Sequence, residues 1–376
     1  MASDPPSVAH VLLSFGFGGA EVAVAGMAAR ARARGERVRI ELPLGGACAA
    51  GVERLVPGLG TGVRVPQPDT PSRAGALRLG LHAAASTRDA DIVHLHLPWP
   101  DRLGVGLVGR GRRPALATFH LLPEGDDWSR DLGLPRPLAW TLAHTAPRLA
   151  PIVLVAVSQH DAGRLRARYP RLRVQCVPNC PQPPTGRPAE PLPWGPGLRL
   201  LAVGRLCRQK GFDRLLAALG REPMRQRSWT LCIVGEGEER PALEQQRSAL
   251  GLDERVHLVG ARSAPDLYPQ AELFVSSSRS EGMPLCVLEA MQAGVAVCVS
   301  SIPSHQEVAG DLPEALLGPD EAGWPAALAR IAEDPATRAR SGALARERVQ
   351  SRYSAERQDA AYGALYRELA REGGST

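Results

Sequence analysis

Residues Leu198 to Leu219 read LRLLAVGRLCRQKGFDRLLAAL. The run Leu198 to Val203 is a short, apolar, buried-type strand, and Phe212 to Leu219 brings apolar residues back at helical spacing. Between them lie Gly204 and Gly211 with the basic residues Arg205, Arg208 and Lys210. A strand running through a glycine-bearing loop into a helix is a βα unit. The same alternation recurs along the chain and predicts parallel sheets.

Upstream, strands are expected at Val8 to Leu13, Val38 to Leu42, Ile92 to Leu95, Ala115 to Thr118, Ile152 to Val157 and Val174 to Val177. Helices are expected at Ala20 to Arg34, after the Gly18-Gly19 turn, and at Gln159 to Arg168, behind Ser158 as N-cap. Downstream of the opening unit, strands are expected at Trp229 to Val234, Val256 to Leu258, Leu273 to Ser276 and Val295 to Ser300. Helices are expected at Pro241 to Leu250 and Leu285 to Ala293. The tail from Glu321 to Glu372 reads as helices broken near Asp334-Pro335 and Ser351 to Ser354.

Between Pro181 and Gly197 the sequence PQPPTGRPAEPLPWGPG favours extended, non-helical chain. A chain of 376 residues exceeds what one core usually fills. The expected division is an N-terminal α/β domain over 1–180, a linker over 181–197, a second α/β domain over 198–350 and a C-terminal helix over 351–376. That helix has Ala361, Leu365 and Leu369 on one face, suited to packing back on the first domain.

Apolar residues make up 44% and charged residues 22% of the chain, the balance of an ordinary folded protein rather than a disordered one. No apolar run approaches the roughly 18 residues of a membrane-spanning helix, and Met1 to Ser7 does not resemble a secretory signal. The seven cysteines are scattered and odd in number, which favours reduced, buried thiols in a cytoplasmic protein over disulfides or zinc. The net charge of +6 comes from arginines interspersed with acids, and aromatics are only 4%, too few for a base-stacking platform. Nucleic acid is therefore not an expected partner, and membrane contact is at most peripheral. Lys210 is the only lysine among 45 basic residues. A compact ammonium at one loop of an arginine-rich chain suits a phosphate.

In the opening loop Arg205 and Lys210 are placed to flank a diphosphate, because free amides and the helix dipole at a βα turn favour anions. The same residues also read as a solvated basic loop. A second stretch, SEGMPLCVLEAM over Ser280 to Met291, sets Glu281 and Glu289 eight positions apart. With a helix starting near Pro284, Glu281 precedes it and Glu289 lies more than one turn inside. One acid can then meet a ligand across the helix start, the other a hydroxyl-bearing ring further along, with the amides of Gly282, Met283, Pro284 and Leu285 as the turn facing phosphates (Pro284 itself having no N–H). The alternative is a helix with one acid near its N-terminus, favourable with the dipole, and the other on a solvated face. Asp89-Ala90-Asp91 reads as a loop before a buried strand, and no metal motif is visible.

With these two stretches the chain resembles the retaining glycosyltransferases of family 4, which have the GT-B fold: two Rossmann-like parallel-sheet domains facing each other across a cleft. The resemblance includes Gly235-Glu236-Gly237, Gly18-Gly19-Ala20-Glu21, Asp91 to His96, Thr118-Phe119-His120 and Val177-Pro178-Asn179. It implies that Glu289 binds the ribose hydroxyls of a nucleotide sugar, that Glu281 binds the sugar, and that Arg205 and Lys210 hold the diphosphate. It places the Gly18-Gly19 loop on the diphosphate from the first domain, His120 beside sugar and acceptor, Gly235 in the donor-binding turn and Arg262 near the nucleobase. His94 and His96 alternate on a strand and are given a structural role.

The implied reaction is metal-free and needs no cofactor other than the UDP- or GDP-sugar co-substrate. A hexose-type sugar passes with retention to a hydroxyl of a small-molecule, natural-product or glycan acceptor, on the face the phosphate leaves. A nucleotide-sugar epimerase of the same fold, a sugar phosphorylase and a non-catalytic nucleotide-sugar-binding protein are the alternatives. Two positions depart from the family's pattern: Cys180-Pro181-Gln182 follows Asn179 where glycine and an aspartate are usual, and Met283 stands where an aromatic is common.

Overall fold

The computed structural model describes residues 5–12, 18–44, 47–64, 85–97, 113–122, 151–186 and 188–373. Leu13, the end of the first expected strand, Arg187 within the expected linker, and 374–376 lie outside the described residues. The chain divides into two compact units, Met1–Asn179 with Glu356–Thr376, and Cys180–Ala355.

In the first unit β1 (Val8–Leu12) leads to α1 (Gly19–Ala33), β2 (Val38–Leu44), α2 (Ala47–Leu55), β3 (Gly60–Arg64), β4 (Ile92–Leu97), β5 (Ala115–Phe119), β6 (Ile152–Ala156), α3 (Gln159–Arg168) and β7 (Arg173–Cys176). All seven strands are parallel, in the order β3-β2-β1-β4-β5-β6-β7. β1, β4, β5 and β6 are buried along their whole length, as strands covered on both faces must be. Helix α2 and strand β3 have no counterpart in the sequence reading; β3 begins at Gly60 and carries Gly62, a weak strand signature.

The second unit contains β8 (Leu198–Val203), α4 (Phe212–Leu219), β9 (Trp229–Val234), α5 (Arg240–Ala249), β10 (Val256–Leu258), β11 (Leu273–Ser276), α6 (Leu285–Gln292), β12 (Ala296–Val299), α7 (Pro303–Ala309), α8 (Trp324–Glu333) and α9 (Pro335–Arg352). Its five parallel strands run β10-β9-β8-β11-β12. One core joins Leu200, Ala202, Leu215, Leu219, Leu231 and Ile233 with Leu328 and Ile331 of α8. Residues of the proline-rich stretch pack with this unit: Thr185 donates from its backbone to Asp266, and Leu192 to Gln270.

Helix α10 (Ala355–Gly373) returns to the first unit. Its Tyr362, Leu365 and Leu369 pack with Val8, Ile92, Leu116, Val153, Val155 and Val177. Arg30 of α1 meets Asp359 at 2.9 Å and donates to Gln358 at 2.7 Å, which fixes the helix's start.

In both sheets the chain builds outward on one side and then crosses to the other. The order reverses between β1 and β4 in the first unit and between β8 and β11 in the second. The carboxyl ends of strands at such a reversal form the crevice where doubly wound sheets bind ligands.

Candidate active site

The two stretches singled out from the sequence leave the second sheet at its reversal, one after β8 and one after β11. Cross-links bind the two loops together. The Arg279 N–H donates to Gln209 O at 2.7 Å, Gln209 Nε2 to Ser280 O at 2.8 Å, and the Ser277 hydroxyl to Lys210 O at 3.1 Å. Arg279 also grips Asp213, at the start of α4, through two 2.7 Å bonds. Gly211 sits at φ 64°, and a Cβ there would come within 2.2 Å of Ser277 O. Only glycine permits both that backbone and that approach.

This scaffold brings Lys210 and Glu281 together. The Lys210 ammonium donates to Glu281 Oε1 at 2.5 Å, and the Ser278 hydroxyl donates to the same oxygen at 2.8 Å. Burial opposes charge on both groups, but each outweighs it for the other: Lys210 is held above the ordinary lysine range and Glu281 below the ordinary carboxylate range. The ammonium keeps two further N–H donors. Its aliphatic stem lies against Gly204, where a Cβ would meet it at 3.1 Å.

Glu289 is in the second turn of α6, and its Oε2 accepts a 2.8 Å bond from the buried Tyr268 hydroxyl. Burial pushes its carboxyl up to about 7, against the Tyr268 hydroxyl and the Gln182 backbone N–H, which favour the charged form. Gly282, Met283, Pro284 and Leu285 are all buried at the entry to α6, with Pro284 as N-cap. The first turn of a helix leaves its amides without intrahelical acceptors, so this turn can receive an anion. The thiol of the half-buried Cys286 lies in the field of Lys210, Glu281 and Glu289 together and is pushed up to about 12, chiefly by burial. It is an inert thiol that marks where the three charges converge.

Arg205 is exposed just beyond β8, and its guanidinium has no partner among the described residues. Gly235, at φ 149°, donates to Gly260 O at 2.9 Å, and a Cβ on it would collide with Gly204 O at 1.9 Å. The turn after β9 thus presses on the Arg205 loop. Arg262 pairs with the exposed Glu190 at 3.2 Å and donates to Val259 O at 3.3 Å.

The first unit holds the other candidates. Gly18 and Gly19 are exposed at the start of α1, where the Gly18 N–H donates to the Glu21 carboxylate at 2.8 Å. His120 follows β5 and is buried with three further histidines. His10 Nδ1 lies 2.9 Å from His96 Nε2, and His96 Nδ1 lies 3.1 Å from His120 Nε2. His94 instead meets the Tyr366 hydroxyl at Nδ1 and the Thr118 hydroxyl at Nε2, both at 2.7 Å. Burial depresses His10 and His120 to about 4 and holds His94 and His96 well below the usual imidazole range. His10, His94 and His96 are close enough to share an ion, with ring nitrogens within 4.8 Å. In this structure His94 has both nitrogens engaged by hydroxyls, and His96 has both engaged by imidazoles.

Sequence reasoning missed Tyr268, Ser278, His10 and a buried serine–histidine network behind Glu281. His305 lies 3.4 Å from Ser276 Oγ and 2.9 Å from Ser300 O, and Ser276 lies 3.4 Å from Ser278. The triplet Ser276-Ser277-Ser278 at the end of β11 was an available signal. His305, on α7, has none.

Two doubly wound parallel-sheet units, with the charged loops of one at its strand reversal, define a protein of the GT-B class. Residues 17–180 match the family described as Glycosyltransferase Family 4, and residues 197–334 match Glycosyl transferases group 1; the chain belongs to this glycosyltransferase family. It is 36% identical over 93 residues to the amylovoran biosynthesis glycosyltransferase AmsD of Erwinia amylovora, covering 24% of this chain and 26% of that protein. It is 28% identical over 208 residues to the lipopolysaccharide core biosynthesis glycosyltransferase LpsD of Rhizobium meliloti, covering 54% and 59%. The chain thus spans between about a quarter and three-fifths of the length of these curated relatives. Among solved structures, Anabaena HepE in complex with UDP and glucose superposes with a TM-score of 0.76 at 19% identity, over 96% of this chain and all of that one. Among the described residues no helix is long and apolar enough to cross a membrane.

Proposed function

We propose that this glycosyltransferase moves a hexose-type sugar from a UDP- or GDP-sugar, with retained anomeric configuration, to a hydroxyl of a small-molecule, natural-product or glycan acceptor. The observation that carries the reading is the Lys210–Glu281 pair at the β8/β11 reversal, with Glu289 on the adjoining helix. The two remaining N–H donors of Lys210 and the unpartnered guanidinium of Arg205 receive the diphosphate and neutralise charge as it builds on the leaving oxygen. Glu281, fixed by Lys210 and Ser278, orients the sugar hydroxyls, and the Glu289 oxygen not taken by Tyr268 accepts from the ribose. The UDP and glucose held by Anabaena HepE support the donor class.

In this reading the cations of Arg205 and Lys210 carry the electrophilic role that a divalent metal has elsewhere, and the nucleotide sugar is the sole co-substrate. The departing phosphate oxygen takes the acceptor's proton, while His120 polarises and positions. The protein acts in the reducing cytoplasm, in keeping with its seven free cysteines, with at most peripheral membrane contact and no nucleic-acid partner. The test is incubation with UDP- and GDP-hexoses and a panel of hydroxyl acceptors, with the anomeric coupling constant of the product read by NMR. An epimerised nucleotide sugar, or an inverted product, overturns the reading.

A further inference from the structure

His10, His96 and His120 come from three different strands of the first sheet or their ends, yet their rings form one hydrogen-bonded file. The contacts are 2.9 Å between His10 Nδ1 and His96 Nε2, and 3.1 Å between His96 Nδ1 and His120 Nε2. His10 and His96 are 2% and 0% exposed and His120 9%, so bulk water does not mediate between them. The last atom in the file, His120 Nδ1, is buried and has no hydrogen-bond partner among the described residues. A buried ring nitrogen left unpaired in this way is poised for a ligand atom.

We propose that His10 and His96 are positioning residues that set, through this file of imidazoles, whether His120 offers a donor or an acceptor at its unpartnered Nδ1. A neutral imidazole carries one N–H and one bare nitrogen. Both links join an Nδ1 to an Nε2, so only two arrangements satisfy both. In one, all three rings carry their proton on Nδ1, and His120 presents an N–H. In the other, all three carry it on Nε2, and His120 presents a lone pair. Any mixture sets two N–H groups or two lone pairs face to face at about 3 Å in a dry interior, which forfeits a hydrogen bond and reduces mixed states to on the order of a tenth or less. His94 escapes the rule. Its partners are the hydroxyls of Tyr366 and Thr118, which rotate to donate or accept, so its tautomer is independent of the file.

The value of this device to sugar transfer rests on the reading of His120 as the ring beside sugar and acceptor. The linked tautomers do not rest on it. The experiment is NMR of the intact protein with ring-15N-histidine at pH 7.5, the nine histidines being assigned by single substitution. In the unaltered protein, His10, His96 and His120 should show the same tautomer, with 15N–15N couplings across both hydrogen bonds. In His10→Phe, the His120 ring shifts should move toward tautomer-averaged values although His120 does not touch residue 10, and His10→Asn, which restores a polar group near Nδ1, should return them. Differing tautomers among the three rings of the unaltered protein, or His120 shifts that are the same in His10→Phe, in His10→Asn and in the parent, would overturn the proposal. Neither outcome depends on nucleotide binding or turnover, so a failure of the transferase reading remains distinct.

Discussion

The hydroxyl of Tyr268 donates to Glu289 Oε2 at 2.8 Å, the one side-chain hydrogen bond to this buried carboxylate among the described residues. Burial dominates, and the Glu289 pKa stands at about 7 rather than 4.5.

A carboxyl raised in the folded state contributes stability that is full below its unfolded value and is lost as pH rises through the folded one. With nucleotide absent, stability from this group should therefore fall between pH 4.5 and about 7, by an amount on the order of 3 kcal/mol. Glu289→Gln should remove that component of the slope in urea denaturation across the window. Tyr268→Phe should move the Glu289 midpoint higher still, readable by carboxyl 13C shifts. A Glu289 midpoint near 4.5 in the parent protein would contradict the buried, weakly supported carboxylate described here.

The first unit should show the opposite sign. Burial lowers His10 and His120 to about 4 and lowers His94 and His96 as well. The contribution of His10 and His120 is full above pH 6.5 and is lost as pH falls through about 4, with a slope of up to about 1.4 kcal/mol per pH unit for each ring, and His94 and His96 act in the same direction. Denaturation at pH 8, 6 and 5 should show stability dropping on the acid side, and less steeply in His10→Phe. A flat acid limb is the contrary result.

Lys210→Ala should leave the buried Glu281 without its countercharge, so that burial acts to push its carboxyl up, with the Ser278 hydroxyl as its remaining hydrogen-bond donor among the described residues. Breaking a buried pair in this way costs about 3 to 5 kcal/mol when burial is complete; with Lys210 19% exposed, the lower end is expected. Lys210→Met with Glu281→Gln should recover much of the stability while still lacking turnover. For the proposed reaction, removing one charge aimed at the leaving group should lower kcat by roughly a hundred-fold or more. Calorimetry with UDP and GDP then separates a loss of binding from a loss of chemistry.

Turnover should persist in excess chelator, because the proposed electrophiles are Arg205 and Lys210. An activity abolished by chelation and restored by magnesium or manganese would refute the metal-free mechanism.

Leu369 is fully buried in the cluster where α10 meets the first sheet. Leu369→Ala should destabilise by about 2 to 5 kcal/mol, and removing 355–376 should leave Ile92, Leu116 and Val153 without their cover and yield insoluble chain. A truncated protein as stable as the full chain would show that α10 is dispensable.

The fold was legible because buried parallel strands announce themselves: Ile152 to Val157, Trp229 to Val234 and Leu273 to Ser276 are short apolar runs that neither a surface helix nor a loop would carry. Strand β3, with Gly60 and Gly62, was not legible, since its place at the sheet edge comes from pairing with β2 rather than from its own propensity. Lys210 and Glu281 were legible as residues to watch, through the lone lysine and the paired acids. Their 2.5 Å contact was not, because it joins loops 71 positions apart.

The sequence by itself determined the βα alternation, the family resemblance and the residue types at the two loops, since each is local: a periodicity, a turn or a charge within a dozen positions. Tertiary structure alone decided which of these residues meet. Parallel pairing set His10 of β1 opposite His94 of β4, and Thr118 of β5 opposite His96. The crossing of the chain at β8 and β11 set Lys210 beside Glu281. Contacts of this kind, like the elevated carboxyl of Glu289 and the depressed imidazoles of the histidine file, depend on exclusion of water by residues distant in the chain, and no local pattern encodes that exclusion.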